Sequence, residues 1–249
     1  MKYQDLNAET IDRWVDEGWE WGVPIDHQTF LDALDGKWDV QLTPTKPVPH
    51  KWIGDLRGKN LLGLACGGGQ QMPVFCALGA KCTVMDYSSR QLESDRMVSE
   101  REGYNINIVR GDMTEVFPFG DSTFDLIFHP VSNCYIRDVR HVWRECYRVL
   151  KSGGLLLSGL DNSINFIVDN DEKTIVNTLP FDPVVNESQR KQLENEDCGM
   201  QFSHSIEEQI NGQLEAGFSL LSLYEDTNGS GYLHEHNIPS FIATLSKKA

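Results

Sequence analysis

Leu61-Leu62-Gly63-Leu64-Ala65-Cys66-Gly67-Gly68-Gly69 decides the fold. A short apolar run breaks into three glycines, and a helix is expected from about Gln70 to Leu78, with Pro73 in its first turn and Gly79 at its end. Glycine at such a turn lets a ligand approach the backbone and the N-terminus of the next helix. Cys82-Thr83-Val84-Met85 reads as a second strand, ending on Asp86, nineteen residues after Gly67. In Rossmann-like sheets a carboxylate at that place accepts hydrogen bonds from ribose hydroxyls. Strand, glycine loop, helix, strand and acid in this order point to a nucleoside-containing cofactor. The competing reading is a tight turn with a solvated Asp.

The same rhythm continues outward. Ser88-Ser89-Arg90-Gln91 fits a capping box that opens a helix closing at Gly103. Ile106 to Arg110 and Phe124 to Phe128 read as the third and fourth strands. Val139, Val142, Trp143, Cys146, Val149 and Leu150 recur at helical spacing, with Gly153-Gly154 expected to end that helix before a fifth strand at Leu155-Leu156-Leu157. Short buried strands alternating with helices mean an α/β fold, a parallel sheet covered on both faces. Residues 161–204 lose the rhythm and carry Pro180 and Pro183, which predicts a lid or insertion. Ser205-Ile206-Glu207-Glu208 restarts a helix with Ile206, Ile210 and Leu214 on one face, and Phe218 to Leu223 and Phe241 to Leu245 read as closing strands. Residues 1–40 carry Trp14, Trp19, Trp21 and Trp38, read as anchors of an N-terminal helical cap, with a ligand-lining role as the alternative.

Composition narrows the function. Against 22 Lys+Arg stand 37 Asp+Glu, a formal net charge of −15. That balance argues against a nucleic-acid or anionic-membrane surface, both of which need clustered basic residues. The six cysteines form no C-x-x-C pair, and several sit in apolar runs, so a reducing, cytoplasmic setting is expected. His234-x-His236 has no third ligand at matching spacing, and no metal is assigned. Asp169, Asp171 and Glu172 read as a solvated loop, with recognition of a cationic substrate as the alternative.

A dinucleotide fingerprint would need Gly or Ala where Met72 stands, which counts against NAD. The spacing Gly63-x-Ala65-x-Gly67-x-Gly69 instead resembles the first motif of class I S-adenosylmethionine-dependent methyltransferases, with Gly63 in place of the family's acid and Ala65 in place of its first glycine. Arg110-Gly111-Asp112-Met113 is similar to the family's segment after strand three, and Phe124-Asp125-Leu126-Ile127-Phe128 to its fourth strand. Glu145 to Gly154 resembles its helix and turn before strand five. The likeness runs from about Asn60 to Leu160, with an echo at Phe241-Ile242-Ala243-Thr244.

The resemblance implies a Rossmann-like, seven-stranded, mostly parallel sheet with helices on both faces and the last strand antiparallel. It implies one domain over 1–249: a cap at 1–40, a cofactor-binding core at 50–160, a substrate lid at 161–204 and the rest of the sheet at 205–249. S-adenosylmethionine, leaving as S-adenosylhomocysteine, is the implied cofactor, held by Leu64, Ala65, Cys66, Gly67, Gly69, Asp86, Tyr87, Gly111, Asp112, Met113 and His129. The implied reaction is in-line methyl transfer to a small-molecule acceptor. A non-catalytic cofactor-binding protein of the same fold is the alternative. His129, ending the fourth strand, is the candidate general base, against a structural role in packing or backbone hydrogen bonding. His129-Pro130-Val131-Ser132 is not the Asn-Pro-Pro-Tyr signature that resembles enzymes methylating the amino group of adenine or glutamine. Trp19, Asn133, Tyr135 and His204 are candidate acceptor-binding residues. A monomer or homodimer is expected, without nucleic-acid or membrane partners.

Overall fold

The computed structural model describes residues 2–249. Three short helices come first: α1 (Tyr3–Asp16), α2 (His27–Leu34) and α3 (His50–Ile53). Strand β1 (Asn60–Leu64) then alternates with helices through α4 (Gln71–Ala77), β2 (Lys81–Asp86), α5 (Ser89–Glu102), β3 (Ile106–Arg110), β4 (Phe124–His129), α6 (Val139–Val149) and β5 (Leu150–Asp161). The C-terminal part holds α7 (Glu187–Glu196), α8 (Gly212–Glu215), β6 (Phe218–Asp226), α9 (Gly231–Glu235) and β7 (Phe241–Lys248).

The seven strands form one sheet in the order β3-β2-β1-β4-β5-β7-β6. β1 to β5 pair in parallel, and β7 lies antiparallel between β5 and β6. Alternation along each strand feeds a core on either face. Leu61, Phe128 and Leu157 pack with Met72, Phe75 and Leu92 on one side. Leu62, Leu64, Ile127 and Leu156 pack with Val142, Trp143 and Cys146 of α6 on the other. The parallel order and chain reversals place the β1, β2, β4 and β5 carboxyl ends along one edge, where the site lies.

Local chemistry explains most boundaries. The Gln91 amide donates to Ser88 Oγ at 3.1 Å, which caps α5, and Gly103 ends it in the left-handed region at φ 73°. The reciprocal half of that box is not made, because Ser88 N donates to Asp86 Oδ1 at 3.0 Å, while Gln91 Nε2 donates to Trp21 O at 3.4 Å. Three expectations need correction. Helix α6 stops at Val149, and Gly153-Gly154 lie inside β5, where the pairing register shifts between Phe124 and Leu126. Gly153 adopts φ 76°, so the glycines serve a bulge rather than a helix end. Residues 161–204 also contain α7, capped by Asn186, whose Oδ1 accepts from the Ser188 and Gln189 amides. Finally, the Ser205–Glu208 box forms in both directions, at 2.9 and 3.1 Å. It opens a π-helical turn at Glu207–Asn211, and this change of period turns Gln209 and Gln213 inward while Ile206 and Leu214 stay exposed.

Candidate active site

Gly63 and Met72 explain how the glycine loop departs from the dinucleotide pattern. A β-carbon on Gly63 would lie 2.3 Å from Met72 Sδ. The small residue that permits close strand–helix packing is therefore on the strand, and the large one on the helix. The glycines beyond it pack against protein. A β-carbon on Gly67 would meet Gln91 Cβ at 2.6 Å, and one on Gly69 would meet the Ser94 carbonyl at 2.9 Å. Ala65 (φ 46°), Gly68 (φ 100°) and Gly69 (φ 66°) all take left-handed backbone here. Behind the loop, Asp95 is fully buried, near the Gly68 and Gly69 amides but without hydrogen-bond geometry to either. Burial pushes its pKa well up.

The loop opens onto a cavity of about 440 Å³ along the carboxyl edge of the sheet. Asp86 stands at its rim, at the end of β2. Gly67 N donates to Asp86 Oδ2 at 3.1 Å and Ser88 N to Oδ1 at 3.0 Å, while burial raises the carboxyl pKa. Tyr87 follows, with the Arg110 guanidinium 5.0 Å from its ring centre and its hydroxyl donating to Asp5 of α1 at 2.8 Å. Asp112 keeps one oxygen turned to Thr114, accepting from its amide at 2.8 Å and its hydroxyl at 2.7 Å. Leu64, Ala65, Cys66, Gly67, Asp86, Tyr87, Gly111, Asp112 and Met113 all line this cavity. Gly69 does not; its place is between α5 and Pro24.

On the other side, Trp19 and Tyr135 line the cavity, whereas His129, Asn133 and His204 lie outside it. His129 is fully buried at the end of β4. Its Nδ1 sits 2.9 Å from Leu64 O and its Nε2 2.8 Å from Asn133 Oδ1. Both ring nitrogens are engaged by oxygens of the fold, with Ser132 Oγ a further 3.4 Å from Nδ1, and burial lowers the ring's pKa. His129, expected as a base and a cofactor contact, thus lies behind the cavity wall with its ring held by Leu64 and Asn133. His204 is likewise committed: its Nε2 donates to the Asn133 and Ile136 carbonyls at 3.0 and 2.9 Å. Asn133 passes its Nδ2 to Gln209 Oε1 at 3.2 Å, and Gln209 Nε2 donates to Asp161 O at 2.8 Å and Oδ1 at 3.3 Å. The buried chain from His129 thus ends on Asp161, at the end of β5.

Asp161 does line the cavity, although by sequence it is only the first residue of an irregular stretch. The available signal was its position, an acid closing a buried strand as Asp86 does. Asn7, Gln4 and Ile11 of α1 and Thr43 of the following loop also line the cavity, with no sequence signal that could have placed them. Among the described residues, no group of three or more His, Cys, Asp or Glu is arranged to hold a metal. No helix among them is long and apolar enough to cross a membrane. Asp169 and Glu172 bind their own surroundings: Asp169 Oδ1 accepts the Lys173 amide at 2.9 Å, and Glu172 Oε2 accepts the Leu233 amide at 2.8 Å.

Comparison with known proteins gives the family. Residues 62–158 match the family model described as a methyltransferase domain. An uncharacterized methyltransferase, YbaJ of Bacillus subtilis, is 40% identical, the match covering 97% of this chain and 97% of that protein. The chain belongs to the class I S-adenosylmethionine-dependent methyltransferase family. Solved methyltransferases of this family share its fold at low identity. An S-adenosylmethionine-dependent methyltransferase from Mesorhizobium loti superposes with a TM-score of 0.65 at 17% identity, covering 80% of this chain and 95% of that one. One described as a putative S-adenosylmethionine-dependent methyltransferase from Listeria monocytogenes gives 0.60 at 16%, with the same coverage. A demethylmenaquinone methyltransferase of Listeria monocytogenes is 32% identical over 40% of this chain and 44% of that protein.

Proposed function

We propose that this methyltransferase binds S-adenosylmethionine along the ends of β1, β2 and β3 and transfers its methyl group in line to a small molecule held beside β4 and β5. The observation that carries this reading is the single cavity shared by Asp86, Asp112 and the glycine loop on one side and Tyr135 and Asp161 on the other. Asp86 is suited to two vicinal hydroxyls, since each of its oxygens carries one backbone donor and keeps further lone pairs. Tyr87 and Met113 offer flat and apolar surface for a base ring, and the second oxygen of Asp112 suits an amino group. Leu64, Ala65, Cys66 and Gly67 bring backbone to the methionine part. When bound, the cofactor supplies an electrophilic methyl on a sulfonium, so the protein's work is alignment and exclusion of water.

Two segments give that exclusion, and we assign them as the cover. α1 contributes Gln4, Asn7, Ala8 and Ile11, and residues 161–204 contribute Asn165, Phe166, Phe181 and Leu193 to the same cavity. They fasten to each other: Arg13 Nη2 donates to Asp197 Oδ1 at 2.7 Å, and the Tyr3 and Phe202 rings meet edge-on at 5.1 Å. Long segments over a site of this kind commonly act as lids. The test is S-adenosylhomocysteine release from S-adenosylmethionine on addition of a small-molecule extract fraction. Product formed only with the extract supports catalysis; cofactor binding with no release on any fraction supports a binding protein instead.

A further inference from the structure

The wall of the cavity beside β5 has an unusual polar make-up. Among the described residues lining the whole cavity, the carboxylates are Asp86, Asp112, Asp161 and Glu196, and there is no Lys, Arg or His. Asp86 and Asp112 fall on the cofactor side. Asp161 is 3% exposed, and its Oδ2 has no hydrogen-bond partner. Its Oδ1 is held by Gln209, the last link of the chain that begins at His129. A buried carboxylate oxygen left without a donor at a cavity wall is costly unless a ligand supplies one. Aromatic rings accompany it: Phe241 is its register partner across β7, and Phe166 and Phe181, 5.3 Å apart, line the same cavity. Rings beside a lone carboxylate suit an organic cation.

We propose that Asp161 binds the ammonium group of a small amine acceptor, takes one of its protons and so frees the nitrogen for methylation. This deepens the methyltransferase reading and rests on it. In the reaction, an N–H proton passes to Asp161 Oδ2 and leaves a neutral amine. The nitrogen lone pair forms the N–C bond to the methyl of the sulfonium donor as the C–S bond breaks. The C–S electron pair stays on sulfur as a neutral thioether, the positive charge moves to the methylated nitrogen, and the proton on Asp161 leaves to solvent with the product. An anionic acceptor would meet only like charge in this wall. A neutral hydroxyl would leave the aromatic and acidic surroundings without a counter-charge.

The titration state fits. Burial raises the Asp161 carboxyl to about 6, with His204 opposing that rise. The other groups facing it are Gln209, which donates to it, and the Cys134 thiol, which burial and then Asp161 push up. A raised proton affinity narrows the gap between this carboxyl and an ammonium.

The test uses full-length protein carrying carboxyl-labelled aspartate and saturated with S-adenosylhomocysteine, followed by carbon NMR, with Asp161→Asn assigning the Asp161 signal. Methylammonium, methanol and acetate are the probes. Methylammonium should move the Asp161 signal saturably, lower its titration midpoint and bind about tenfold tighter than methanol. Acetate should leave it in place. The proposal is overturned if methylammonium fails to move the signal, or if methanol or acetate moves it as far. It is also overturned if S-adenosylhomocysteine alone already quenches the titration, since Asp161 would then serve the cofactor. Failure of S-adenosylhomocysteine to bind at all is a different result, and it removes the methyltransferase reading rather than this one.

Discussion

Asn7 of α1 holds the Met200 peptide from both sides. Asn7 Nδ2 donates to Met200 O at 2.9 Å, and Met200 N donates to Asn7 Oδ1 at 2.6 Å. Residues nearly two hundred positions apart are thereby closed into a ring over the cavity, and both are buried. Asn7→Ala leaves a buried amide and carbonyl unpaired, which costs about 1–3 kcal/mol of stability. Hydrogen exchange should speed up in 197–203 and in α1 while the sheet is unchanged. Unchanged exchange in both segments would mean that this pair does not hold the cover.

The cover should also respond to ligand. In the free protein, α1 and residues 161–204 are expected to be cut by protease before the sheet, and S-adenosylhomocysteine should slow that cutting. Equal cutting rates with and without ligand would remove these segments from the site.

Gly63 and Met72 form a size-complementary pair. Gly63→Ala drives a methyl into the Met72 thioether, and overpacking of this kind costs about 1–3 kcal/mol. Combining it with Met72→Ala should restore part of that loss, because the second change vacates the space the first one needs. Additive destabilisation in a double-mutant cycle would show that the two side chains are not coupled.

How far the sequence speaks for this fold depends on the range of the interactions. Ser88 and Gly103 bound α5 through contacts within one turn, so both ends of that helix are readable, as are the strand ending on Asp86 and the glycine loop. Gly153-Gly154 mislead, because a bulge in β5 uses the same glycines that would end a helix, and only pairing with β4 distinguishes them. The π-turn after Ser205 defeats a 3.6-residue period and hides Gln209 behind Ile206 and Leu214. His129 stands where a base is expected from strand order alone. Its nitrogens are taken by Leu64 and Asn133, and the polar chain delivers its end to Asp161 through Gln209, a residue eighty positions away. Such a relay of side chains leaves no local pattern.

Asp161 also makes a pH-dependent prediction. Its folded-state pKa of about 6 lies above the ordinary 3.8. The folded protein therefore holds the proton more tightly than the unfolded chain, and stability from this group is present below pH 4 and lost as pH rises toward 6. The difference corresponds to about 3 kcal/mol. Asp161→Asn should thus be more stable than the parent at pH 7, with the gap closing near pH 4, as read by urea unfolding at both values. A variant less stable than the parent at pH 7 would show that the charged carboxylate is satisfied in the folded protein.

The central claim is that this cavity holds S-adenosylmethionine with its ribose on Asp86. Calorimetric titration of S-adenosylhomocysteine into the wild-type protein and Asp86→Ala tests it most directly. One molecule should bind each wild-type chain. Loss of hydrogen bonds to a charged group should weaken binding by roughly 10- to 150-fold in the variant, which stays folded. Equal affinity in the two proteins would contradict the placement, and no binding to folded wild-type protein would contradict the claim itself.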